Sequence, residues 1–162
     1  MKNKKVLFLT QAAMIAAVYV ILTEIFAPIS FSVGQVRIAE ALTILPAFTP
    51  AAIVGLFIGC LIGNVLAGAV LWDVIFGSLA TLIGAYFTYL LRKQNKFLAP
   101  IPPIISNTII IPLILRYAYG LKYAVPFMML MVGLGEIISC GVLGMILYTS
   151  LLKHRSRIFK TK

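Results

Sequence analysis

Long apolar runs, broken by short polar or proline-bearing segments, divide the 162 residues into six stretches. They lie at about 6–27, 37–48, 50–70, 71–91, 98–119 and 124–152. An α-helix needs roughly 20 apolar residues to cross a bilayer's hydrocarbon core, and fewer if it stops part-way. The pattern therefore predicts six helical segments, the second of them short. Pro28 ends the first, because the residue before a proline is steered out of the helical region. The connection from Pro28 to Val36 alternates apolar and small polar residues and is expected to tuck back over the bundle. Pro50 opens the third segment, and Pro100, Pro102 and Pro103 open the fifth, where a missing N–H costs nothing. Pro112 lies inside the fifth and is expected to kink it, freeing the carbonyl of Thr108.

Composition turns helices into membrane helices. The chain is 62% hydrophobic and 11% charged, with mean hydropathy +1.07. A soluble domain of this size cannot hide so much apolar surface. The expected fold is an all-α membrane protein, a single transmembrane domain over 1–162, with no room for a soluble catalytic domain. The run from Val6 to about Ala27 exceeds the ~7–15-residue apolar core of a secretory signal and reads as a retained first span.

Charge placement orients the bundle. Eleven of the fourteen Lys/Arg fall in the two termini and the segment Arg92–Lys96. Six segments with both termini cytoplasmic put those eleven inside, as the positive-inside rule requires, and leave Arg37, Arg116 and Lys122 outside. The net charge of +10 is thus explained by topology and by contact with anionic lipid headgroups. No basic stripe interleaved with aromatics is present, so nucleic acid is not an expected partner. The expected location is the cell membrane, crossed several times.

The four acids behave differently from the bases: Glu24, Glu40, Asp73 and Glu136 all lie within or beside apolar stretches. A carboxylate in lipid costs from about 2.5 kcal/mol upward, which makes each a candidate functional group. Glu136 and Asn107 fall near mid-depth of the sixth and fifth segments, too short to reach water. Such a carboxylate needs a partner, a proton or a cationic ligand, and Gly133 and Gly135 leave space beside it. Arg37 and Glu40, three apart, share a helix face: they form a neutral pair or, with Gln35, cap a ligand cavity. Trp72 and Asp73 open the fourth segment, as interfacial anchor and helix-start acid or as a face for a flat, nitrogen-rich ligand. Glu24 reads as an interfacial charge.

Small residues mark close helix approach. Gly55, Gly59 and Gly63 recur every fourth residue and predict packing within the bundle. Ala12 and Ala16, with Ala13 and Ala17, form two overlapping pairs that serve either internal packing or docking of another membrane subunit. Cys60 and Cys140 lie in apolar runs without metal-ligand spacing and are expected as buried free thiols. His154 sits in the basic tail, and the sequence carries no metal or cofactor motif.

The runs from Gln35 to Ala52, Gly55 to Asn64 and Trp72 to Leu82 resemble the QueT family of queuosine-precursor transporters. Members of that family are substrate-binding membrane subunits (S-components) of energy-coupling factor transporters. The resemblance implies a six-transmembrane-helix bundle of S-component type with its site in the outward half. It also implies a transmembrane coupling subunit and two ATPase subunits as partners, the first docking on an alanine-rich face where Ala12, Ala13, Ala16 and Ala17 stand. The implied ligand is a 7-deazaguanine, either the 7-aminomethyl precursor or queuine. Carboxylates accept its paired donors, which points to Glu136 and Glu40, with Asn107 and Gln35 as amide readers and Trp72 and Asp73 at the mouth.

Two other functions stay open at this point. A same-fold subunit for another nutrient, such as a vitamin, would share every feature except the specificity residues. An intramembrane enzyme needs a nucleophile–base pair or a metal cluster, and the sequence offers neither GxSxG nor a histidine within a span. No glycine-rich phosphate loop with lysine occurs either, so ATP use is expected in partner subunits.

Overall fold

In a computed structural model of the chain, residues 2–30 and 36–154 are described, and their regular structure is entirely helical. The chain starts with α1 (Lys2–Ile25) and a short turn of helix, α2 (Ala27–Ser30), which holds Pro28. A 3₁₀ helix (Ile38–Ala47) leads into α3 (Ala51–Leu66), α4 (Leu71–Leu91) and α5 (Ile101–Tyr117). The last expected segment divides into α6 (Val125–Glu136), a π-helical stretch (Ile137–Leu143) and α7 (Gly144–Leu152). Among the described residues, four helical segments are long and apolar enough to cross a membrane: Lys4–Ile25, Leu71–Leu91, Lys96–Tyr117 and Val125–Leu152. The 3₁₀ helix and α3 are shorter than a full span. Helix α5 continues through Pro112.

Leu, Ile, Val, Met and Phe side chains cover much of the outer surface, as in Leu9, Met14, Leu66, Phe87 and Ile146. Only a hydrocarbon environment makes that surface favourable, so the chain is a multi-pass membrane protein.

The 3₁₀ helix is the centre of the bundle. Every residue from Ala39 to Ala47 is buried, and the helix packs against α1, α3, α4, α7 and the π stretch. Runs of 3₁₀ helix beyond three or four residues are uncommon, and this one has ten. At ~2.0 Å per residue it covers about 20 Å, which an α-helix of equal length would not. Ala39, Ala41 and Ala47 let its neighbours approach closely.

Helices α1 and α3 run in the same direction, with Ala12, Ala16 and Thr23 meeting Gly55, Gly59 and Gly63 in turn. A Cβ on Gly55 would sit 2.6 Å from the Ala12 carbonyl oxygen, and one on Gly59 would sit 2.9 Å from the Tyr19 Cβ. The expected glycine packing is therefore present. Ala12 and Ala16 are buried against α3, while Ala13 and Ala17 stay exposed. Gly55→Ala is expected to push the two helices apart and cost about 1–3 kcal/mol, read as a lower thermal midpoint in detergent. An unchanged midpoint would mean that the helices do not touch there.

Helix α4 runs antiparallel to α3, α5 to α4 and α6 to α5, as the Cys60–Thr81, Thr88–Ala99 and Asn107–Glu136 contacts require. Lys4, Lys5, Arg92, Lys93, Lys96 and Lys153 consequently gather at one end of the bundle. Arg37, Arg116 and Lys122 lie toward the other.

Candidate ligand-binding site

Buried polar side chains collect in two adjoining tiers. The inner tier surrounds Glu40, which the 3₁₀ helix holds fully buried. Its carboxylate oxygen Oε1 accepts hydrogen bonds from the Tyr19 hydroxyl and, at 3.4 Å, from Thr81 Oγ1. Its second oxygen, Oε2, is buried with no hydrogen-bond partner among the described residues. Glu136 faces this group from the end of α6. Its Oε1 accepts from Asn107 Nδ2 at 3.0 Å, and its Oε2 accepts from the Cys140 thiol at 3.1 Å. Cys140 also lies 3.4 Å from the Glu40 main-chain oxygen and 3.3 Å from Thr43 Oγ1.

The π-helical stretch begins directly after Glu136. Its wider turn brings Ser139 and Cys140 to the buried side while Ile137, Ile138 and Val142 face outward. Single π turns inside α-helices often accompany functional sites. Here Glu136 and Cys140 converge on one point of the 3₁₀ helix. Glu40, Glu136 and Cys140 each offer a ligand atom, and these atoms lie within 4.8 Å of one another. This group is the place among the described residues where a metal ion could be held.

The outer tier joins Arg37, Asn64, Asp73 and Tyr119. Arg37 Nη2 lies 3.9 Å from Asp73 Oδ2 and donates to Asn64 Oδ1 at 3.1 Å. Asn64 Nδ2 donates to the Asp73 main-chain oxygen at 3.3 Å, so the amide is oriented from both sides. The Tyr119 hydroxyl donates to Asp73 Oδ2 at 3.0 Å from the α5–α6 connection. Burial and then the neighbouring Asp73 carboxylate push the Tyr119 hydroxyl up to about 12, which keeps it a donor at any ordinary pH. Gly120, next to it, has φ +70°, a left-handed conformation that suits glycine and turns the chain back into α6.

The candidates distribute unevenly over these tiers. Glu136, Asn107 and Glu40 meet in the inner one, and Arg37 and Asp73 in the outer one. The i,i+3 spacing leaves Arg37 and Glu40 open as a neutral pair or as the cap of a ligand cavity; Arg37 forms an ion pair with Asp73. Arg37 precedes the 3₁₀ helix in an extended conformation. Trp72 is 57% exposed, stacks on Phe76, and lines an apolar groove with Ile110 and Tyr117. Asp73 follows it on the helix and is buried, so the two neighbouring side chains point in different directions. Gln35 lies outside the described residues. Glu24 is exposed.

Tyr19, Thr43, Thr81, Asn64, Cys140 and Tyr119 belong to the tiers although the sequence did not single them out for this role. Hydroxyls in apolar helices commonly bond their own backbone, as Ser78 does to Val74, and nothing local distinguishes Thr81 from it. Both cysteines are free and buried, as expected.

The family described as QueT transporter matches residues 9–153. A queuosine precursor transporter, QueT, from Lactococcus lactis subsp. cremoris is 38% identical over 99 residues. That match covers 59% of this chain and 57% of the relative's length. No solved structure matches the chain.

Proposed function

The chain belongs to the QueT transporter family, and from that membership we propose that it captures a queuosine precursor outside the cell for import. The ligand is a 7-deazaguanine, either 7-aminomethyl-7-deazaguanine or queuine. One observation carries the reading: two buried carboxylates, Glu40 and Glu136, stand together with the Asn107 amide at the core of a membrane bundle. A deazaguanine presents ring N–H and amino donors in a flat edge, which carboxylates accept in pairs. A protonated aminomethyl group adds a positive charge that the acids would balance. Asn107 reads the remaining edge, and Arg37, Asn64, Asp73 and Tyr119 form the outer wall. Gln35, outside the described residues, is proposed as a further amide reader of the ligand.

The arrangement proposed is a single domain of six membrane segments with both termini cytoplasmic. Support comes from the six basic residues gathered at one end of the bundle, where anionic headgroups and the positive-inside rule both favour them. The site then lies toward the outward half. Transport is proposed to use a membrane coupling subunit and two ATP-hydrolysing subunits, of the energy-coupling factor type. The exposed face of α1 that carries Ala13 and Ala17, beside Met14 and Val18, is the surface left for the coupling subunit.

Titration of the purified chain in detergent with 7-aminomethyl-7-deazaguanine, queuine, thiamine and biotin tests the reading. Saturable binding of a deazaguanine, with no binding of the vitamins, is the expected outcome. Tight binding of a vitamin without binding of either deazaguanine would sink the proposal and favour a subunit for another nutrient.

A further inference from the structure

The buried charges do not balance. Among the described residues the buried charged side chains are Arg37, Glu40, Asp73 and Glu136, three acids against one base. Arg37 lies with Asp73 in the outer tier, which leaves Glu40 and Glu136 facing one another around Cys140. Glu40 Oε2 is fully buried and has no hydrogen-bond partner among the described residues. Protein interiors rarely leave a carboxylate oxygen in that state, and where they do a bound ion is a common reason.

We propose that Glu40, Glu136 and Cys140 bind a divalent, thiol-accepting transition-metal ion of the zinc type, in competition with the organic ligand of the same site. The metal half stands independently; the competitive half rests on the ligand reading above. A carboxylate oxygen, a second carboxylate oxygen and a sulfur form a donor set suited to zinc or cobalt, and ill suited to magnesium or calcium, which take oxygen donors. Zinc holds sulfur at about 2.3 Å and oxygen at about 2.0–2.2 Å, so donors around one ion sit roughly 3.5 Å apart. The present donors lie within 4.8 Å, so closure needs a side-chain adjustment of about 1 Å rather than any movement of helices.

The ion would take the place of the hydrogen now between Cys140 Sγ and Glu136 Oε2, at 3.1 Å, and would give Glu40 Oε2 a partner. Cys140 releases its proton to solvent as the metal–sulfur bond forms, so the site gains one positive charge net of that proton. Asn107, on Glu136 Oε1, and Tyr19 and Thr81, on Glu40 Oε1, already hold the oxygens that face away, which is how outer partners orient metal ligands. Three protein ligands leave one position for water. A deazaguanine that uses the same two carboxylates cannot bind while the ion holds them.

The test uses the full chain in detergent, stripped with a chelator and titrated with Co²⁺. A thiolate-to-cobalt charge-transfer band, reaching one equivalent and abolished by Zn²⁺, is expected. Cys140→Ser should remove the band, Cys60→Ser should retain it, and Glu40→Gln should weaken cobalt binding at least tenfold, with circular dichroism confirming the fold of each. Absence of the band in folded protein, or its persistence in Cys140→Ser, would overturn the metal site. Deazaguanine titration of the stripped protein separates the two readings: binding that Zn²⁺ does not weaken overturns the competition, whatever the cobalt result.

Discussion

Glu136→Gln should weaken binding of 7-aminomethyl-7-deazaguanine roughly 10- to 150-fold while the chain stays folded. A hydrogen bond to a charged group contributes about 1.5–3 kcal/mol net, and each 1.4 kcal/mol is tenfold in affinity. Glutamine keeps the shape of the side chain and can still accept from Asn107 Nδ2, so the bundle loses little. It cannot accept a pair of donors from a guanine-like edge or balance an ammonium. Glu40→Gln acts on the same group of atoms from the 3₁₀ helix, and the double variant should bind no ligand within the range of calorimetry. Undiminished affinity in Glu136→Gln would reduce that carboxylate to a structural partner of Asn107.

Arg37→Met is expected to be the most destabilising single change, by about 3–5 kcal/mol, because it leaves Asp73 buried without its cation. Asn64 loses a donor at the same time. Arg37→Met combined with Asp73→Asn should recover much of that loss, since the uncompensated charge is gone and Tyr119 can still donate to the amide oxygen. Unfolding in detergent, by heat or by denaturing surfactant, measures both variants. A cost below about 1 kcal/mol for Arg37→Met would place the pair among solvated ones, where such values are usual. Equal losses in the single and double variants would show that the two residues do not depend on each other.

Legibility in the sequence followed depth. Glu136 and Asn107 stood out because a short polar side chain near the middle of an apolar run has no route to water, and the structure pairs them at 3.0 Å. Glu40 was found for a poorer reason, its spacing from Arg37, and its true neighbours Tyr19 and Thr81 lie 21 and 41 positions away. Trp72 and Asp73 read together in the sequence, yet adjacency on a helix separates directions: neighbours are turned about 100° apart, so Asp73 is buried and Trp72 exposed. The alanines of α1 divided for the same reason, one pair on the α3 side and one on the surface.

By itself the sequence determined the membrane environment, the all-helical character, the close approach marked by Gly55, Gly59 and Gly63, and the short list of acids. These are properties of local composition and period, and lipid enforces them on any packing. The tertiary structure decided which acids share a site. It required a ten-residue 3₁₀ helix in the centre of the bundle and a π turn after Glu136, neither of which has a signature in apolar sequence. Those two irregular helices bring Glu40 and Cys140, 100 positions apart, to within 3.4 Å of each other. Contact over that separation depends on the packing of every helix between them, so no window of residues contains it.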